Sequence, residues 1–149
     1  MSLKKEVIVL SDIEMGAGNL TDDFISDRLL AELIVELSNR PHPVDLIFNG
    51  DSFDFLKCPS FQTNQLVYHR HITEKVSLNK LNLIYHAHNK VFSALKKFCK
   101  TKKHRLIFTI GNHDMDLVYK GVQNKIKEYL GKPKNVYFKE KYRYKNIYV

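Results

Sequence analysis

Side chains with metal-binding oxygen or nitrogen atoms gather at three places in this chain: Asp12 with Glu14, Asp51 with Asp54, and Asn112, His113 and Asp114. Asp12 and Glu14 are two positions apart. Alternate side chains of an extended segment point the same way, so both carboxylates could reach one cation. Gly50 precedes Asp51 and Gly111 precedes Asn112, giving the backbone freedom for a sharp turn at each place. Carboxylate and imidazole donors together suit Mn, Fe, Zn or Mg rather than a metal that prefers thiolates. Carboxylates brought to one edge of a sheet repel one another strongly unless cations sit between them.

Taken singly, each residue has a plainer use. Asp is common after strands, so Asp12 and Asp51 could merely cap loops. Glu14 alone reads as a surface acid, Asp54 as a capping residue, and His113 as a structural or exposed histidine. What sets them apart is their order, because each group follows a short apolar run.

Those runs are Val7-Ile8-Val9-Leu10, residues 44–48 and residues 106–110, each with the composition of a buried parallel strand. Between the first two, Thr21-Asp22-Asp23 offers a helix cap. Leu29, Leu30, Leu33, Ile34 and Leu37 then recur at helical spacing until Asn39-Arg40-Pro41. Leu81, Ile84, His88, Val91, Leu95 and Phe98 predict one helix over residues 79–100. A further helix through Val118, Val122, Ile126 and Leu130 ends at Gly131, the position for a left-handed cap. Residues 135–139 and 146–149 read as strands. This alternation predicts an α/β fold with a mainly parallel sheet and right-handed crossovers. Ligands of such sheets bind beyond the carboxyl ends of the strands, where all three polar groups fall.

Ser11-Asp12-Ile13-Glu14-Met15-Gly16, Gly50-Asp51-Ser52-Phe53-Asp54 and Gly111-Asn112-His113-Asp114 resemble the first three motifs of the calcineurin-like metallophosphoesterases: D-x-H, G-D-x-x-D and G-N-H-D/E. The resemblance spans nearly the whole chain, and its second and third motifs match in full. With Phe55 it is similar to a bacterial branch that includes lipid-precursor pyrophosphatases. It implies that family's layered α/β sandwich. Residues 1–149 would be the amino-terminal part of a single domain, with a cap or insertion around 56–79.

The resemblance also implies roles. Asp12 would bind a first metal, Asp51 would bridge two, and Asn112 would bind the second. His113 would contact the phosphate and assist the leaving group, Asp114 would orient the His113 ring, and Asp54 would be a supporting acid. Two divalent metal ions, Mn foremost with Fe, Zn and Mg as alternatives, would turn a shared water into hydroxide and clamp the attacking and leaving oxygens. His113 would add general-acid help. The implied substrate is a phosphorylated small molecule, a lipid precursor or a nucleic acid.

Two departures stand out. Glu14 occupies the position where the family usually has a histidine ligand. A carboxylate binds the same cations and would tilt the first site towards Mn or Mg. In addition, no histidine follows Asp114, whereas the family's later motifs supply three more histidine ligands. The chain is therefore expected to be a fragment or truncated product whose site is incomplete. That sets a metal-binding scaffold without turnover against the hydrolase reading.

The net charge of +8 keeps a nuclease of the same superfamily in view, to be recognised by salt-dependent DNA binding. Lys96, Lys97, Lys100, Lys102, Lys103 and Arg105 read more simply as a solvated helix end. Cys58 and Cys99 form no CxxC pair and are expected to be reduced and packed. His residues two apart on a helix diverge by about 200°, so neither His69 with His71 nor His86 with His88 could share a metal there. His88 is expected to pack and His86 to face outward, with His42 and His104 at the surface. Arg70, His69 and His71 are candidate substrate contacts from the 56–79 segment. Hydrophobic residues make up 44% of the chain, enough for a core. No apolar run approaches the roughly 20 residues needed to cross a bilayer. The amino terminus has no signal-peptide pattern, and the expected address is the cytoplasm.

Overall fold

Short runs of Val, Ile, Leu and Phe form the centre of the molecule. The computed structural model describes residues 5–149; residues 1–4, which begin the stretch read for a signal peptide, lie outside the described residues. In chain order the elements are β1 (Glu6–Leu10), α1 (Asp27–Ser38), β2 (Val44–Asn49), β3 (Ser60–Gln62), β4 (Gln65–Val67), α2 (Glu74–Ala87) and α3 (Asn89–Cys99). They continue with β5 (Arg105–Thr109), a 3-10 turn (Met115–Val118), α4 (Lys120–Tyr129), β6 (Val136–Lys139), β7 (Arg143–Tyr144) and β8 (Ile147–Tyr148).

β1, β2, β5 and β6 form one sheet in the order β1-β2-β5-β6, and every pairing is parallel. The register sets Leu10 against Phe48 and Asn49 against Thr109, so the first three strands end together. Leu46, Phe48, Leu106 and Phe108 point to the face on which all four helices pack. Phe53, Phe92 and Phe108 stack there with centroids 5.8–6.0 Å apart. The opposite face buries Ile47 and Ile107 beneath Tyr142, beside Tyr144 and Val149 of the β7–β8 hairpin. Asp45 is buried on that side. Burial pushes its carboxyl up, but hydrogen bonds from Arg105 and Tyr142 and their charge environment hold it below the usual range. Among the described residues, no helix is long and apolar enough to cross a membrane.

Four local expectations are corrected. α1 starts at Asp27, after Ser26, because Asp22 spends its carboxylate on the Gly16, Gly18 and Phe24 amides instead of capping a helix. The single helix over 79–100 is two helices, and the first begins earlier, where Thr73 Oγ1 accepts the Val76 amide at 3.3 Å. The break falls at His88, whose backbone (φ −110°, ψ 34°) leaves the helical region while its ring is held from both sides. Val118 lies in the 3-10 turn and is exposed, so α4 starts after it. His104 is fully buried, not at the surface. Its Nδ1 accepts the Val44 amide at 3.2 Å, its Nε2 faces Ser38 O at 3.3 Å, and its ring stacks on Phe98.

Other expectations hold. Gly131 takes φ +86°, and the amides of Gly131 and Lys132 close the end of α4 on the carbonyls of Glu128 and Lys127. His88 is buried, His86 is exposed, and Cys58 and Cys99 are free and buried.

Candidate metal centre

Three loops leave the carboxyl ends of β1, β2 and β5, and backbone hydrogen bonds join them into one platform. The Glu14 amide donates to Asp51 O at 2.8 Å, the Met15 amide to Ser52 O at 3.1 Å, and the Asp54 amide to Met15 O at 2.9 Å. Met15 and Phe53, bridged in parallel here, are both fully buried, so the first two loops are anchored in the core. The third loop joins through the Phe55 amide, which donates to His113 O at 3.0 Å.

Carboxylates tie the platform together from within. Asp51 Oδ1 accepts the His113 amide at 2.8 Å. Asp114 accepts the Gly111 amide on Oδ1 and the Ser52 amide on Oδ2, both at 2.7 Å. Burial pushes the Asp114 carboxyl up, and those two amides pull in the other direction. A Cβ on Gly111 would lie 2.1 Å from Asp51 Oδ1 and 2.4 Å from its amide nitrogen, so glycine is required for this close approach. Asp12, Glu14 and Asp51 have φ of 53°, 54° and 48°. The left-handed region costs a non-glycine residue roughly 1–2 kcal/mol, and such strain clusters at functional sites.

Within this frame Glu14, Asp54 and His113 converge, each offering one ligand atom within 4.8 Å of the others. His113 Nδ1 donates to Asp54 Oδ1 at 3.1 Å and lies 3.9 Å from Glu14 Oε2. The hydrogen bond to Asp54 raises the His113 pKa, with burial opposing and the charges of Glu14 and Asp51 adding to the rise. Asp54 is almost fully buried, and among the described residues no backbone amide donates to its Oδ2. Lys57 Nζ stands 3.2 Å from that oxygen and pairs with its charge. A buried carboxylate that faces a cation, beside a second carboxylate and an imidazole, is a donor set that fits a divalent ion.

The sequence-predicted residues thus divide into groups. Glu14, Asp54 and His113 meet at one point, while Asp51 and Asp114 lie underneath and hold backbone amides. Asp54, expected as a supporting acid, offers a ligand atom itself. It also holds the His113 ring, the part expected of Asp114. Asp12 and Asn112 are exposed on the same loops, outside the three-residue cluster. In the 56–79 segment, Arg70 and His71 are exposed, and His69 is hydrogen-bonded to the Ser60 hydroxyl. That segment includes the β3–β4 hairpin and touches the first loop through Tyr68, whose hydroxyl accepts from Asn19 at 3.1 Å. A cavity of about 640 Å³ between α1 and α3 shares no residue with the three loops and has no part in their chemistry.

Two features carried no sequence signal. Lys57 sends its ammonium over the cluster, 2.7 Å from Asp23 Oδ2 and 3.5 Å from Glu14 Oε2. His88 lies between Asp22 and Asp27, each 2.8 Å away, and Asp22 in turn holds the Gly16 and Gly18 amides of the first loop. The helical stripe marked His88 for packing, but nothing marked its partners. Comparison of the chain with protein-family models, curated proteins and solved structures finds no match.

Proposed function

We infer that this chain carries a divalent-metal site for phosphoester hydrolysis, of the calcineurin-like metallophosphoesterase type. The observation that carries this reading is the convergence of Glu14, Asp54 and His113 beyond the carboxyl ends of parallel strands. The G-D-x-x-D and G-N-H-D motifs support it, since their backbones interlock around Asp51 and Asp114. Glu14, Asp54 and His113 would hold one cation, and the exposed Asp12 and Asn112 on the same loops would serve a second. Mn is the cation best suited to this carboxylate-rich donor set, with Fe, Zn and Mg as alternatives. When bound, such cations activate water and offset the charge on a transferring phosphoryl group.

The protein's own part is positional. Asp51 and Asp114 fix the loop that carries His113, and Asp54 fixes the ring through Nδ1. Where Glu14, Asp54 and His113 hold a cation, that Nδ1 hydrogen bond would be replaced, and the Nε2–H would then be the His113 group left to donate to a phosphate oxygen or the leaving group. Substrates of the class are phosphorylated small molecules, lipid precursors or nucleic acids. A second reading, a metal-binding scaffold without turnover, is favoured by the ammonium of Lys57 over the cluster.

Hydrolysis of an aryl phosphate monoester and a diester, each with and without Mn, separates the two readings. Mn-dependent turnover lost in His113→Asn supports the hydrolase. Mn binding without turnover supports the scaffold, and no Mn binding at all overturns both.

A further inference from the structure

We propose that Lys57 is the resident cation of the centre: its ammonium, anchored on Asp23, also lies against Glu14 and Asp54 and must give up those two, keeping Asp23, before a divalent ion can bind. This rests on the metal-site reading above. Nothing in the three motifs assigns Lys57 a role, yet it is held at the site from several directions. Its amide donates to Asp54 Oδ1 at 3.0 Å, and its carbonyl accepts the Thr21 hydroxyl at 3.0 Å. Backbone fixed in this way launches the side chain across the mouth of the cluster. Its ammonium then meets three carboxylates: Asp23 at 2.7 Å, Asp54 at 3.2 Å and Glu14 at 3.5 Å.

The three contacts differ in kind. Asp54 and Glu14 are two of the three residues that converge with His113, whereas Asp23 lies outside that group. Asp23 is 72% exposed, and the Lys57 side chain is 38% exposed, so the ammonium can move without unpacking a core. A divalent ion takes carboxylate oxygens at about 2.0–2.6 Å. An ammonium 3.2–3.5 Å from the same two oxygens cannot share them with it, since like charges that close repel strongly. Asp23, already the carboxylate nearest the ammonium at 2.7 Å, therefore retains the charge when the other two contacts are given up. Lys57 sets the affinity of the centre, and its neighbour Asp23 sets how readily it withdraws.

Isothermal titration of the full chain with MnCl2 tests this. Lys57→Met is expected to bind Mn about tenfold more tightly than the parent, while Lys57→Arg stays near it. Asp23→Asn is expected to weaken binding severalfold in the parent and to have no effect in the Lys57→Met background, because Asp23 acts through the lysine. Circular dichroism and thermal unfolding confirm that each variant is folded. Mn binding by the parent that is unchanged or weaker in Lys57→Met overturns the proposal and leaves the metal site standing. Loss on Asp23→Asn that persists without the lysine also overturns it. If neither parent nor variant binds Mn, the metal-site reading fails and the proposal with it.

Discussion

Asp114 Oδ2 accepts the backbone N–H of Ser52 at 2.7 Å, joining the loops after β2 and β5 across 62 positions of sequence. Its other oxygen accepts the Gly111 amide, so one buried carboxylate fixes both ends of the His113 loop. Asparagine has only one acceptor oxygen and would turn an NH2 group towards a donor. Asp114→Asn should destabilise the fold by about 1–3 kcal/mol, the cost of leaving a buried donor unpaired. Urea unfolding measures this, and Mn affinity should fall with it as His113 loses its place. Unchanged stability would show that the bond to Ser52 contributes nothing.

Gly111→Ala should be worse than its small size suggests. The new methyl would meet both the carboxylate and the amide of Asp51, so backbone has to move. A loss of about 2 kcal/mol or more is expected in thermal or urea unfolding.

His88→Ala removes the partner of Asp22 and Asp27 at the α2–α3 break. Leaving hydrogen-bonding groups without their partner in a buried place costs about 1–3 kcal/mol. Because Asp22 holds the Gly16 and Gly18 amides, those two should also exchange with deuterium faster than other amides near the site. Uniformly faster exchange would assign His88 to general packing instead.

His104 makes stability depend on pH. Burial lowers its pKa from the usual value, with its hydrogen bond to Ser38 opposing and the charge of Lys103 assisting. The unfolded chain therefore takes up the proton more readily than the folded one. Its contribution to stability is complete above about pH 6.5 and is lost as pH falls from there through the lower folded value. Urea midpoints at pH 7.5 and 5.5 should differ by more in the parent than in His104→Phe, which cannot be protonated. Equal differences would remove His104 as the source.

His113→Asn should reduce Mn-dependent hydrolysis of an aryl phosphate by about a hundredfold or more if the ring assists the leaving group. Mn affinity that falls much less than activity would separate its part in the chemistry from its part as ligand. Activity at the parent level would sink the proposed role.

Much of the frame was readable from the chain alone, for local reasons. Val7–Leu10, 44–48 and 106–110 are short apolar runs broken only by Asp45 and Thr109, and such runs suit parallel strands with largely covered faces. Glycines before Asp51 and Asn112 marked turns that the φ of Gly50 and the tight contact of Gly111 explain. α1 starts later than its local pattern suggests, because Asp22 has the form of a helix cap but distant loop amides and His88 draw it away. Among lysines His104 has the local pattern of a surface residue, and nothing nearby in sequence reveals the Val44 amide and the Phe98 ring that enclose it.

By itself the sequence determined the central parallel strands, where the polar loops leave them and which residue types those loops carry, since each depends on neighbours a few positions apart. Tertiary structure decided the pairings. It set Asp54 rather than Asp114 beside the His113 ring, and laid Lys57 over Glu14 and Asp54. Such contacts depend on sheet register and on the left-handed turns at Glu14 and Asp51, which fix distances between side chains that the chain order leaves far apart.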